Sequence, residues 1–255
     1  MLITEPALLQ YLGDAYWPFM RLTGVFLTAP VLGNSIVPVP FRVLFAALIA
    51  VCLAAWGGPW PPLPAAAGAV MLSGAIQLAF GALIGLVGQI IVAAIASAGE
   101  LGSFALGISF ATATGLATDQ ASPVLYDVFQ WTGLLVYLGL GGPFLVIEAV
   151  NHSFHTLPAG IPDAISLRAL VDYGGATIRI ALLLALPVVA AGFAMNSVIG
   201  LANTLAPQLN IFSIGFPLLF LGGIWIIAAS LFFVEPVAIG LLQEGLAVMA
   251  GLAHG

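Results

Sequence analysis

Six long apolar stretches crowd into 255 residues, and no lysine interrupts any of them. Runs of that length match the hydrocarbon thickness of a bilayer. Lipid offers an open backbone no hydrogen-bond partner, so such runs must become membrane-type helices that satisfy their own backbone groups. Hydrophobic residues make up 62% of the chain and charged residues 5%, and the mean hydropathy is +1.19. The expected fold is therefore all-α and membrane-type, with about six hydrophobic helices, several of them broken. Function should lie in helix packing, in the breaks between helices and in the few polar residues.

Charge narrows the classes further. The net charge is −6, and the four cations are Arg21, Arg42, Arg168 and Arg179. There is no basic tail and no polybasic cluster, which argues against nucleic acid and against electrostatic lipid anchoring. Arg42 and the Arg168/Arg179 pair fall on opposite sides of the span pattern, so arginine asymmetry assigns no orientation. The N-terminal Met-Leu-Ile-Thr-Glu lacks the positive start of a signal peptide, and the first apolar stretch is expected in the mature protein. The single Cys52 lies within an apolar run and reads as a small packing residue.

The first run, 7–32, carries Asp14, Pro18 and Arg21. Asp14 and Arg21 share a helix face and could pair with each other or with a neighbouring subunit. Pro18 should kink the helix or open a second one. The second run, 41–56, is short and lies between two proline-rich connectors, 37–40 and 57–64. The third, 70–98, places Gly81 and Gly85 on one small-residue face, which lets another helix approach closely. The fourth, 124–150, is interrupted at Gly139, Gly141, Gly142 and Pro143. The fifth, 178–205, carries Gly192, Asn196, Gly200 and Thr204 four apart. The sixth, 211–234, ends at Glu235-Pro236, and a weakly amphipathic segment, 237–252, follows. Segments 99–123 and 151–177 are expected to lie between spans. About six residues join the fifth and sixth runs, which predicts an antiparallel hairpin.

Candidate chemistry is sparse. Glu148, His152 and His155 have metal-like spacing, but no HExxH pattern accompanies them, and an interfacial loop is the simpler expectation. Tyr126-Asp127 resembles half of an intramembrane aspartyl protease site, yet the later Gly139–Gly142 run supplies no second aspartate. Asp127 is better read as helix-start chemistry after Ser122-Pro123. No phosphate loop and no Gly-x-Ser-x-Gly elbow is present, so neither an enzyme nor a bound cofactor is expected. The segment 99–111 alternates small residues with phenylalanine and aliphatics, and Glu100 follows the long third run. By pattern it suits either a compact movable constriction or a re-entrant packing loop.

Several segments together resemble one family. They are Arg21…Ala29-Pro30, Val37-Pro38…Arg42, Gly107-Ile108-Ser109-Phe110-Ala111, Phe154-His155-Thr156-Leu157-Pro158 and Ala206-Pro207-Gln208-Leu209-Asn210-Ile211-Phe212-Ser213-Ile214-Gly215-Phe216-Pro217. In this order, over nearly the whole chain, they resemble the FliR family of flagellar type III export-gate proteins. The resemblance implies a non-enzymatic channel subunit in the bacterial inner membrane, at the flagellar basal body. Its implied partners are FliP-type, FliQ-type and FlhB-type subunits and the unfolded flagellar proteins that pass through. It also implies a FliP-like region, 1–173, and a FliQ-like hairpin with a C-terminal helix, 174–255.

By the same resemblance, Gly102, Phe104, Leu106, Gly107, Ile108, Ser109 and Phe110 would form the loop that plugs the channel. Arg21, Pro38, Arg42, Glu100, Pro207, Gln208, Asn210, Phe212, Gly215 and Pro217 would serve partner contact or assembly. Two departures stand out: Asp119 is followed by Gln120-Ala121-Ser122-Pro123 rather than directly by proline, and lysine is absent. The other class compatible with broken apolar helices is a small-solute secondary transporter. Such proteins show repeats and a midplane charge pair, and neither is evident here.

Overall fold

The computed structural model describes residues 5–33, 37–56, 60–106, 124–156, 167–205 and 211–251. Among these residues the fold is all-α. The helices are α1 (Glu5–Thr28), α2 (Val39–Trp56), α3 (Ala67–Ala105), α4 (Val124–Gly139), α5 (Gly142–Thr156), α6 (Leu167–Leu205), α7 (Ile211–Leu231) and α8 (Val234–Gly251). By length and composition, Ala67–Ala105 and Leu170–Ala202 could each cross a membrane. Counting α4 with α5, and the end of α7 with α8, as broken spans raises the number to four.

The chain divides into two compact units. One comprises Met1–Ile90, Gly141–Tyr173 and Leu242–Gly255; the other comprises Ile91–Leu140 and Gly174–Leu241. Each takes segments from both sides of residue 173.

In the first unit α1 and the first part of α3 meet backbone to backbone. A Cβ on Gly81 would overlap the Arg21 carbonyl, and one on Gly24 would overlap the Leu78 carbonyl. The small-residue face expected on α3 thus receives α1. Thr28 Oγ1 seals the crossing by donating to the Ala82 carbonyl at 2.9 Å. Pro18 lies buried inside an unbroken α1. Its ring removes the hydrogen bond that the Asp14 carbonyl would otherwise receive. On α2, Ala46, Ala50 and Ala54 are buried at four-residue spacing, while Phe41, Leu44, Phe45, Leu48 and Val51 remain exposed. The Tyr11 hydroxyl reaches across from α1 to the Val51 carbonyl at 2.7 Å.

In the second unit the end of α3 packs on α4, with Ile95 against Gly133 and Gly99 against Leu125 and Phe129. The buried face of α6 runs through Ala181, Leu184, Ala185 and Val188. Met195 of α6 lies on Gly222 of α7. These two positions stand about equally far from the link 206–210, as neighbours in an antiparallel hairpin must.

Three expectations about element boundaries need correction. Helix α3 does not end near residue 98; it continues through Ala105, so Gly102 and Phe104 are helical rather than part of a loop. Glycine's low helix propensity is outweighed there by the close helix contacts that Gly99 and Gly102 permit. The interval 151–177 is largely helical, because α5 extends to Thr156 and α6 begins at Leu167. Pro236 does not end a helix but sits in the first turn of α8, where its missing N–H costs no hydrogen bond. The break at 139–143 lies where the glycines put it. Gly141 has φ +75°, a conformation that residues with a Cβ rarely adopt.

Candidate functional site

Arg21 is the most constrained polar residue of the first unit, with 0% of its surface exposed. Its Nε donates to Gln77 Oε1 at 2.9 Å, and its Nη1 donates to Ser153 Oγ at 2.7 Å. Nη2 also donates to Gln77 Oε1. Ser153 Oγ in turn donates to the Val150 carbonyl at 2.6 Å. The guanidinium carbon lies 3.7 Å from the Phe154 ring centre and 4.9 Å from that of Phe80. A charge taken out of water is costly unless hydrogen bonds and π-faces replace the lost hydration, and both are supplied here. The result ties α1, α3 and α5 together at one point.

The proline-rich connector is fastened to the same region. Trp60 packs edge-on to Phe154 with ring centres 4.9 Å apart. The Trp17 indole donates to the Pro61 carbonyl at 2.9 Å, and the Tyr16 hydroxyl to the Val70 carbonyl at 2.7 Å. The Arg21 side chain therefore lies inside the subunit. The expected Asp14–Arg21 pairing gives way to these contacts with α3 and α5.

Arg42 is also mostly buried. Its Nε donates to the Val37 carbonyl at 2.8 Å and its Nη1 to the Gly33 carbonyl at 3.2 Å. It thereby holds the entry into α2, beside an exposed Pro38.

In the second unit the key feature is the end of α3. Glu100 is half-buried, Gly102 and Leu106 are buried, and Phe104 is 62% exposed. The last turn closes with Leu106 N–H donating to the Gly102 carbonyl at 3.0 Å. The Ala105 carbonyl accepts from Asn196 Nδ2 at 2.9 Å. Gly192, one turn earlier on α6, allows this approach, since its missing Cβ would stand 3.0 Å from the same oxygen. Leu106 packs over Gly223 of α7. Ser103 Oγ is fully buried and has no hydrogen-bond partner among the described residues.

Of the expected plug, then, Gly102 and Leu106 are packed within the unit and Phe104 projects outward. Gly107, Ile108, Ser109 and Phe110 lie outside the described residues, as do Pro207, Gln208 and Asn210. Phe212, Gly215 and Pro217 belong to the opening turns of α7.

Residues 12–245 match the family model of bacterial export proteins, family 1. The chain belongs to that family. Among curated proteins, this family member is 32% identical over 249 residues to the flagellar biosynthetic protein FliR of Escherichia coli (strain K12), covering 95% of this chain and 93% of that protein. It is 29% identical to the FliR of Pectobacterium carotovorum subsp. carotovorum, covering 96% and 94%. Against the FliR of Bacillus subtilis (strain 168) the identity is 28%, covering 78% and 79%. The likeness read from the sequence is thus borne out across the chain.

The remaining polar residues of this family member form no metal centre: among the described residues no three His, Cys, Asp or Glu side chains cluster. Glu148, His152 and His155 are exposed on α5 rather than held in a loop. Asp127 occupies the first turn of α4, where its charge complements the helix dipole. Arg168 and Asp172 pair at 3.8 Å on an exposed surface, a contact of little energetic weight. Sequence reasoning overlooked Gln77, Phe80 and Ser153 as partners of Arg21. The available signal was Gln77 itself, a strongly polar residue on the α3 face that also carries Gly74 and Gly81.

Proposed function

We propose that this protein is a channel subunit of the flagellar type III export gate in the bacterial inner membrane. With FliP-type, FliQ-type and FlhB-type companions it lines and closes the conduit for unfolded flagellar proteins, and it carries out no chemistry of its own. The observation that carries the reading is the family match over residues 12–245. The distribution of side chains supports it. The strongest polar groups, Arg21 and Gln77, are spent inside the subunit, while α2 and α6 turn broad apolar faces outward. That is the reverse of a solute site, which needs polar groups converging on a cavity.

The end of α3 is the proposed root of the gate. Asn196 and Gly223 hold the chain through Leu106, and residues 107–110 then close the channel. Opening is a population shift, in which a passing polypeptide displaces apolar contacts of modest strength. Deleting residues 107–110, or substituting Phe110→Ala, should let the assembled complex conduct ions while its subunit composition stays unchanged. Planar-bilayer conductance of the purified complex measures this. Wild-type tightness in an intact complex would remove the closing role from these residues.

A further inference from the structure

Resting on that reading, we infer that a cavity between α5 and the end of α8 seats a lysine side chain presented by another polypeptide of the export assembly. The cavity lies within the first unit and measures about 350 Å³, near the lower end of the usual ~300–1,000 Å³ for binding pockets. Leu145, Leu246 and Met249 give it an apolar lining, with Glu148, His152 and Ser153 on the α5 side.

The two kinds of surface ask for one kind of occupant. An aliphatic stem can lie along the leucines and the methionine while a cationic head reaches the carboxylate. Glu148 and His152 are one helical turn apart and both exposed, so they face the same incoming group. A lysine ammonium has three donors that can serve the carboxylate and a ring nitrogen together.

The charges nearby fix where the head sits. Ser153 already binds Arg21 and the Val150 carbonyl, and Arg21 repels a second cation from that end. The ammonium therefore goes to the Glu148 end. Glu148 forms no ion pair among the described residues, and the chain holds no lysine anywhere. The ammonium must come from a different molecule.

The absence of lysine also makes the test clean. The full-length chain, coexpressed with its FliP- and FliQ-type neighbours, is purified and treated with a carbodiimide. This reagent joins a carboxylate to a contacting amine. Apart from the chain's own α-amino group, which peptide mapping distinguishes, any amine joined to Glu148 belongs to another molecule, and the mass of the linked product tells a lysine peptide from a lipid amine. A parallel sample receives glycine ethyl ester as a competing small amine, with exposed Glu235 as the internal reference.

The expected result is a Glu148 peptide linked to a lysine of a companion subunit, with little glycine ethyl ester taken up there. The link should vanish in Glu148→Gln, and yield of that complex should fall about two- to fivefold, as for one half-exposed ion pair. Glu148 labelled by the small amine as readily as Glu235 means an open cavity and overturns the inference. Glu148 inert to both means an occupant without an amine and overturns it as well. An intact complex with either outcome leaves the proposed function standing. A chain recovered alone, with Glu148 open, removes both.

Discussion

The Arg21 cluster and the end of α3 are both built from buried polar groups and small residues, yet they are fastened in opposite ways. At Arg21, one guanidinium is held by Gln77 and Ser153 and flanked by Phe80 and Phe154. At the end of α3, an amide-to-carbonyl bond joins Asn196 to Ala105, and among the described residues the Ser103 hydroxyl has no partner. Satisfied, interlinked polar groups lock one packing arrangement, whereas an unsatisfied group lowers the cost of leaving it. The lesson is where this fold places rigidity. The α1–α3–α5 junction is a frame tied by several side-chain hydrogen bonds, and among the described residues the α3 terminus is held by fewer of them.

The largest expected effect comes from breaking the frame. Arg21→Ala removes three hydrogen bonds, to Gln77 and Ser153, and should cost about 2–5 kcal/mol, at about 1–3 kcal/mol for each buried polar group that loses a partner. Thermal unfolding in detergent should show a sharply lower midpoint, with little folded protein recovered. Arg21→Lys should restore only part of this, because a point charge cannot span both partners as the planar fork does.

A matched pair of serine substitutions sharpens the comparison. Ser153→Ala removes a bonded hydroxyl and should destabilise by about 1–2 kcal/mol. Ser103→Ala removes an orphaned one and should be neutral or stabilising by up to ~1 kcal/mol. The same midpoint assay reads both, and equal destabilisation by the two would erase the contrast drawn here.

The smallest loss of stability among the hydrogen-bonded groups should come from Asn196→Ala. Losing one helix-to-helix hydrogen bond within a membrane-type protein costs only about 0.6 kcal/mol. Its signature should instead be a raised resting conductance of the assembled complex, since the carbonyl that anchors the α3 terminus is released. Unchanged conductance would place the gate's root elsewhere.

Much of this was legible in the sequence. Apolar length gave the helices, and Gly139, Gly141 and Gly142 with Pro143 marked the break that Gly141 makes with its positive φ. The Gly81/Gly85 face announced a close helix neighbour, although only the structure shows that the neighbour is α1. The stripe of Gly192 and Asn196 was also visible. Its partner, Ala105, was hidden because the glycines at 99 and 102 suggested a loop where packing on α4 and α6 sustains a helix. Arg21 misled for a similar reason. A charge in an apolar run signals a partner, but nothing local reveals that Gln77, Ser153 and two phenylalanines from distant segments converge on it. The closing role proposed for residues 107–110 rests on the family resemblance.

The most direct test of the export-gate account is native mass measurement of the tagged chain after coexpression with its FliP- and FliQ-type neighbours. The account predicts a discrete hetero-oligomer that contains this subunit and survives purification. A stable lone protein or homodimer, indifferent to those neighbours, would contradict it.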